Sequence, residues 1–297
     1  MIKKNKEGPM SNIHPQAVIE SGARIGKNVT IEAFAVVKAT VTLKDNVTIK
    51  SHAYIDGYTT IGEGTTIWPG ASIGTKTQDL KYKGEKTFVR IGKNCDIREF
   101  ATINSSCQEN SVVSVGDNCL IMAYCHIAHN CSVGNHVIMS NNAMLAGHVT
   151  IDDFAIIGGM TPIHQFCRIG KHAMVGGFSR VPRDIPPYTI GGGTPYKFGG
   201  INLVGLKRRQ FSLEVRKYLA QVFKITYRMN LHLEEAVQKI KDTIPLIEEV
   251  EHWIDFCLSS KRGLLGLQGV TQQAFDEEDQ SLQEEEEEEK ILLEQSN

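Results

Sequence analysis

From Ile13 to Val181 the chain sets an aliphatic residue at every sixth position: Ile13, Ile19, Ile25, Ile31, Val37, Leu43 and onward to Ile169, Val175 and Val181. Of the 29 positions in this phase only Asp79, Glu85 and Glu109 are not aliphatic, so interruptions suspend the repeat without resetting it. Neither the helical period nor strand alternation gives a step of six. A fixed short repeat specifies a parallel β-helix.

The other slots of each hexad agree. Four residues after the aliphatic one comes a small residue, as in Ala17, Ala23, Val29, Ala35, Cys119, Cys125, Ala143 and Ala173. One large and one small side chain per face suit a narrow prism packed to crystal-like density. Three residues after the aliphatic one the chain favours Gly, Asn and His: Gly22, Asn28, Asn46, His52, Gly64, Asn118, Asn130, His136, His148 and His172. These types best tolerate positive φ, so this slot is the corner. Three hexads close a triangular coil of 18 residues. Coils stacked at about 4.8 Å, nearly nine of them, predict a rod of roughly 40 Å.

The expected organisation is a loose tail over residues 1–12, a prism over 13–190, a helical domain over 191–262 and an acidic, disordered tail over 263–297 that contains the glutamate run Glu284 to Glu289. Met10 is an alternative start to Met1. Two loops leave the prism, one near 76–90 and one at 105–114. Long loops on a rigid scaffold usually carry function. After Val181 the repeat frays through Pro182, Pro186 and Pro187 into Gly191-Gly192-Gly193. Ser212 is an expected helix N-cap, followed by apolar residues at helical spacing; Leu231 to Ile240 and Ile247 to Leu258 read as further helices that cover the open end of the prism.

A net charge of −2 gives no nucleic-acid footprint, and no apolar run reaches membrane-spanning length. The polar N-terminus lacks the apolar core of a signal peptide, which points to the cytoplasm. Six of the seven cysteines (Cys95, Cys107, Cys119, Cys125, Cys131, Cys167) fall in the small inward slot and read as buried small hydrophobes.

With 18 residues per coil, residues 18 apart stand one above another. His129, Gly147 and Gln165 therefore share a column, with His126, His148 and His164 close by. A neutral imidazole is the commonest general base near pH 7. Gly147 offers a backbone N–H with no side chain in front of it, suited to an oxyanion. With no cysteine or serine nucleophile expected beside them, base and donor point to direct acyl transfer to a hydroxyl. His148 also suits a purely structural corner role. His126 and His164 are of the type that ligate zinc in some hexapeptide prisms, but no pairing here has that spacing.

Five ordered segments, Gln78-Asp79-Leu80-Lys81-Tyr82, His126-Ile127-Ala128-His129-Asn130-Cys131, Leu145-Ala146-Gly147-His148-Val149, His164-Gln165-Phe166 and Gly205-Leu206-Lys207-Arg208-Arg209, are similar to those of the acyl-carrier-protein-dependent UDP-N-acetylglucosamine O-acyltransferases. The resemblance spans about 13–262. Only twelve residues precede the prism, whereas the related N-acyltransferases carry a nucleotide-binding domain there. The resemblance implies a left-handed prism and a homotrimer with clefts shared between subunits. It implies transfer of a 3-hydroxyacyl or acyl chain from acyl carrier protein to the sugar 3-hydroxyl, the first step of lipid A synthesis, with no resident metal and no cofactor. By the same resemblance His129 is the base and Gly147 the oxyanion donor. Gln78, Asp79 and Lys81 meet the sugar nucleotide, and His126, His148, His164 and Gln165 line the cleft. Asn202, Arg208 and Arg209 hold the nucleotide end, and Gly177 sets the floor of the acyl pocket. The chain departs from the pattern at Asn130, where better-known members often have Asp, and at Gly191-Gly192-Gly193. The competing readings are an acetyl-CoA-dependent acetyltransferase on the same fold and a non-enzymatic binding rod; the mixed outward residues disfavour the rod.

Overall fold

The computed structural model describes residues 11–267. The coil of three hexads is present throughout. Among the described residues short strands fall into three sheets of 11, 8 and 8 strands, and through the regular coils each pairs parallel with the one three places on. Ile13 pairs with Ile31, Thr30 with Thr48, and Ile127 with Leu145, a step of one coil each time. The excursions keep this phase because each inserts whole hexads. Ile61 pairs with Ile91 and Ile67 with Ile97 across the first loop; Ile97 pairs with Ile121 and Ile103 with Ile127 across the second. The aliphatic and small slots form one continuous core, with Ile31, Ile49, Ile67, Ile97, Ile127 and Ile157 at most 1 % exposed.

Corners take positive φ as expected at Asn28 (54°), Asn46 (59°), Asn130 (58°) and His148 (61°), and also at bulky residues: Phe34 (62°), Tyr124 (62°), Phe154 (62°) and Phe166 (64°). The left-handed conformation costs a residue with a Cβ roughly 1 kcal/mol. Rings stacked from coil to coil offset that cost. His136 stacks on Phe154 at 4.7 Å and Phe154 on His172 at 4.8 Å, while Phe100 meets Tyr124 at 5.2 Å. An offset aromatic pair contributes about 0.5–1.5 kcal/mol beyond its buried area. The sequence patterning in Gly, Asn and His therefore captured only half of the corner rule.

At the C-terminal end two more faces follow Val181. Ile169 bridges to Ile185 and Val175 pairs with Gly191, a shortened turn in which the prolines replace regular strand. The glycine run is not an irregular link: strand Thr189–Gly192 pairs antiparallel with Lys197–Ile201 and extends the largest sheet. Glycine carries little strand signal, so backbone pairing decides here. Four helices follow: α1 (Leu203–Arg208), α2 (Leu213–Arg228), α3 (Leu233–Thr243) and α4 (Glu248–Leu258). Ser212 caps α2 by accepting from the Val215 N–H at 3.1 Å, as expected. Trp253, Leu206, Val222 and Ile240 form the second core. The chain then returns to the prism. Leu265 donates to the Asp184 carbonyl at 2.9 Å and Leu264 is buried, so 263–267 belong to the packed structure, not to a tail. The glutamate run and both candidate starts lie outside the described residues.

Candidate active site

The His129, Gly147 and Gln165 column exists. Pairing of Ile127 with Leu145 and of Leu145 with Ile163 carries straight on to it, and the corner bonds His148 N–H to His129 O (3.0 Å) and Phe166 N–H to Gly147 O (3.1 Å) lock it. A Cβ on Gly147 would collide with Cε1 and Nε2 of His129, so only glycine lets the imidazole lie against the next coil. Ala146 donates its N–H to Ile163 and His148 to His129; among the described residues the intervening Gly147 N–H has no backbone acceptor. One polar N–H is thus left available beside one imidazole.

His129 is held from three sides. Its Nδ1 lies 3.0 Å from Asn130 Oδ1. An amide oxygen has no proton to give, so Asn130 favours the tautomer with hydrogen on Nδ1, while the carboxylate at Nε2 favours the other. Nε2 lies 3.5 Å from Asp79 Oδ2. The ring of His148 meets it edge-on at 5.2 Å. Asp79 comes from the first excursion loop. It accepts from the Lys81 N–H at 2.9 Å, which holds its carboxyl below the usual carboxylate range. Burial and then the neighbouring His129 lower both His126 and His148, favouring neutral rings. His126 Nδ1 is 2.7 Å from Thr102 Oγ1. Together Gln78, Asp79, Lys81, His126, His129, His148 and Gln165 line one open cleft of about 550 Å³, with Leu80, Asn104, Ala128 and Phe166.

Two expectations change at this point. Cys107 does not point inward. The second loop adds a hexad outside the coil, and Cys107, which belongs to it, is half-buried with Sγ 3.4 Å from His129 Nδ1 and 3.0 Å from Asn130 Oδ1. A cysteine therefore does stand beside the imidazole. Burial, with Asp79 adding to it, pushes this thiol up, so it is a poor thiolate. The second change concerns Asn130. Its oxygen performs the orienting task that an aspartate would perform, and the negative charge near the ring comes from Asp79 instead.

The remaining sequence-predicted residues lie elsewhere. His164 accepts at Nδ1 from Arg262 at 3.2 Å, beyond the lining of the cleft. Asn202 is 6 % exposed and caps α1: Oδ1 accepts from the Gly205 N–H at 3.1 Å and Nδ2 donates to the His172 carbonyl at 3.1 Å. Arg208 and Arg209 are exposed on the same short helix and its cap, and the Arg209 guanidinium lies 4.2 Å from the Phe154 ring. Gly177 is exposed beside Phe178. The three sets occupy three different corners of one prism. His129 belongs with the Asn130, His148 and Phe166 corner, Arg209 with His136, Phe154 and His172, and Gly177 with Asn142, Met160 and Phe178.

The curated relatives decide the family. A protein of Chlamydia abortus named acyl-[acyl-carrier-protein]–UDP-N-acetylglucosamine O-acyltransferase is 59% identical over 270 residues, covering 91% of this chain and 96% of its own. The chain belongs to the acyl-carrier-protein-dependent UDP-N-acetylglucosamine O-acyltransferases.

A Chlamydia trachomatis serovar D member of the family is 55% identical over 256 residues, covering 86% of this chain and 91% of that protein. Family models agree: residues 113–147 match the bacterial transferase hexapeptide repeat, and residues 184–265 match the second domain of UDP N-acetylglucosamine O-acyltransferase. Among solved structures, the UDP-N-acetylglucosamine acyltransferase of Bacteroides fragilis superposes with a TM-score of 0.83 at 41% identity, covering 84% of this chain and 98% of that one. The Arabidopsis acyltransferase gives 0.70 at 31% identity, covering 86% and 99%. The prism is the left-handed β-helix of this family.

Proposed function

We propose that this acyltransferase moves a fatty acyl group, in the longer 3-hydroxyacyl or acyl range, from acyl carrier protein to the 3-hydroxyl of UDP-N-acetylglucosamine, opening lipid A synthesis in the cytoplasm. The observation that carries the mechanism is the imidazole of His129, which lines the cleft, lying against the bare backbone of Gly147. His129 Nε2 takes the hydroxyl proton as the sugar oxygen attacks the thioester carbon. The oxygen–carbon bond forms, and the carbonyl oxygen, now negative, is met by the Gly147 N–H. Collapse of the intermediate breaks the carbon–sulfur bond, and the proton on His129 passes to the departing phosphopantetheine sulfur. Asn130 keeps the ring in the tautomer this requires. No cofactor enters the reaction, since the acyl-phosphopantetheine arrives as part of the donor.

Gln78, Asp79 and Lys81 position the sugar nucleotide, and His126, His148, His164 and Gln165 border the sugar and the pantetheine arm. Arg208 and Arg209 face the diphosphate or the acidic carrier protein. Asn202 fixes the short helix that presents them. Gly177, without a side chain, leaves depth for the acyl chain. These groups sit at different corners of one prism, so a cleft that uses all of them takes corners from two copies. That supports a homotrimer with each site between subunits. No helix among the described residues is long and apolar enough to cross a membrane.

The direct test is His129→Ala assayed with both substrates; near wild-type turnover would remove the base from this scheme. Acyl carrier proteins of graded chain length, competed against acetyl-CoA with product mass spectrometry, fix the donor. Activity with acetyl-CoA alone would reject the reading.

A further inference from the structure

Beside this cleft Cys107 stands close to two histidines, a thiol that acyl transfer does not use. Ligand atoms of Cys107, His129 and His148 all lie within 4.8 Å of one another, and all three residues are half-buried. They come from three separate turns: the second excursion loop, the coil of His129 and the coil above it. The Asp79 carboxylate stands 3.5 Å from His129 Nε2. That carboxylate faces the other ring nitrogen and stays outside the donor group; one thiol and two imidazoles are the donors a borderline-soft divalent ion takes, while magnesium and calcium prefer oxygen alone.

We infer that Cys107, His129 and His148 form an inhibitory binding site for Zn2+ or a similar thiophilic divalent cation, directly over the general base.

Tetrahedral zinc holds nitrogen and sulfur ligands about 3.3–3.8 Å apart. Cys107 Sγ already lies 3.4 Å from His129 Nδ1, so the adjustment, at most about 1.5 Å, falls on the wider separations in the group. A metal on His129 takes Nδ1, the ring nitrogen 3.4 Å from Cys107 Sγ, and displaces its contact with Asn130. On binding, the sulfur–metal bond forms and the thiol proton leaves to solvent, with no change of oxidation state. Asp79 offsets the added positive charge, and Lys81, facing the same cleft, opposes it. A metal on Nδ1 leaves the ring hydrogen on Nε2, so that nitrogen loses the lone pair that takes the hydroxyl proton; turnover stops and returns when the metal is withdrawn. The site needs Cys107: the other two donors are a histidine pair of ordinary affinity.

The inhibitory consequence rests on the role proposed for His129, but metal binding does not, so two readouts are needed. Co2+ added to the full-length protein should give the intense near-ultraviolet charge-transfer band of a thiolate–cobalt bond, lost in both Cys107→Ala and Cys107→Ser. Acyl transfer should fall with micromolar Zn2+, recover with a chelator, and be untouched by equivalent Mg2+. In Cys107→Ala the half-inhibitory Zn2+ concentration should rise roughly tenfold or more. Absence of the cobalt band in the wild type, or a band that persists in both variants, would overturn the site. A band with no loss of turnover would leave the metal site standing and count against His129 as the base. Equal zinc sensitivity in wild type and both variants would place the inhibition elsewhere and reject the inference.

Discussion

The imidazole of His129 fills the space that a Cβ on Gly147 would occupy, one coil away. The base and the oxyanion donor proposed above are thus set by the same contact. Gly147 does not need glycine for a left-handed φ; its requirement is clearance. Gly147→Ala keeps the N–H but pushes the ring aside. A displacement of about an ångström at a reacting group costs on the order of 100-fold in rate. We expect kcat to fall about 100-fold with the thermal midpoint within a few degrees of wild type. Steady-state kinetics beside a melting curve checks this; an active alanine variant would show that the ring does not work from its present place.

Asn130 carries two separable duties. Its φ of 58° turns the corner, and its Oδ1 meets His129 Nδ1 at 3.0 Å and orients the ring. Asn130→Gly retains the corner freely but removes the oxygen, so kcat should drop about 10–100-fold while stability holds. Asn130→Ala should show the same loss of kcat together with about 1 kcal/mol of destabilisation from the left-handed backbone. Urea melts and turnover of the pair separate the two effects.

The prism and the catalytic column were legible because a period of six and a coil of 18 convert sequence distance directly into spatial distance. His129, Gly147 and Gln165 could be placed by counting alone. Cys107 could not. Counting put it inside, but the second loop removes one hexad from the coil, and nothing local marks which of the hexads between Ile103 and Val115 has left. The partner of Asp79 was equally hidden, since a loop of twelve extra residues has no period to project. The strand pair Thr189–Gly192 and Lys197–Ile201 is carried by backbone bonds at glycines, which no side-chain pattern announces.

Asn202 links the two folded parts, with its amide capping α1 and reaching the His172 carbonyl on the prism. Losing an N-cap costs about 1 kcal/mol, and a buried carbonyl left without its donor costs about 1–3 kcal/mol more. Asn202→Ala should therefore lower stability by about 2–4 kcal/mol, and KM for the sugar nucleotide should rise only as far as α1 loosens. Arg209→Ala should behave oppositely, raising KM about tenfold with little change in the melting curve. A result in which Asn202→Ala raises KM at unchanged stability would make Asn202 a direct ligand of the nucleotide.

Two groups near the C-terminal coils give stability a pH dependence of opposite sign. His172 is 6 % exposed in the aromatic stack, and burial, with Lys171 beside it, lowers it to about 4. A folded value below the ordinary one gives stability that is present above about pH 6.5 and lost as pH falls toward 4. At about 1.4 kcal/mol per unit the contribution is on the order of 3 kcal/mol across that window. Asp152 is raised by burial to about 6. Its contribution is present at low pH and lost as pH rises from its ordinary value of 3.8 through 6. Between pH 4 and 6 the two slopes oppose and partly cancel. Asp152→Asn should unmask the histidine and make the thermal midpoint fall more steeply than wild type as pH drops from 6 to 4. His172→Asn keeps a residue that tolerates the corner φ of 59° and costs stacking at every pH. Relative to wild type its midpoint should recover as pH falls across the same range. Melting curves of the three proteins at fixed concentration and stepped pH decide the matter; parallel curves would mean that neither group changes its proton affinity on folding.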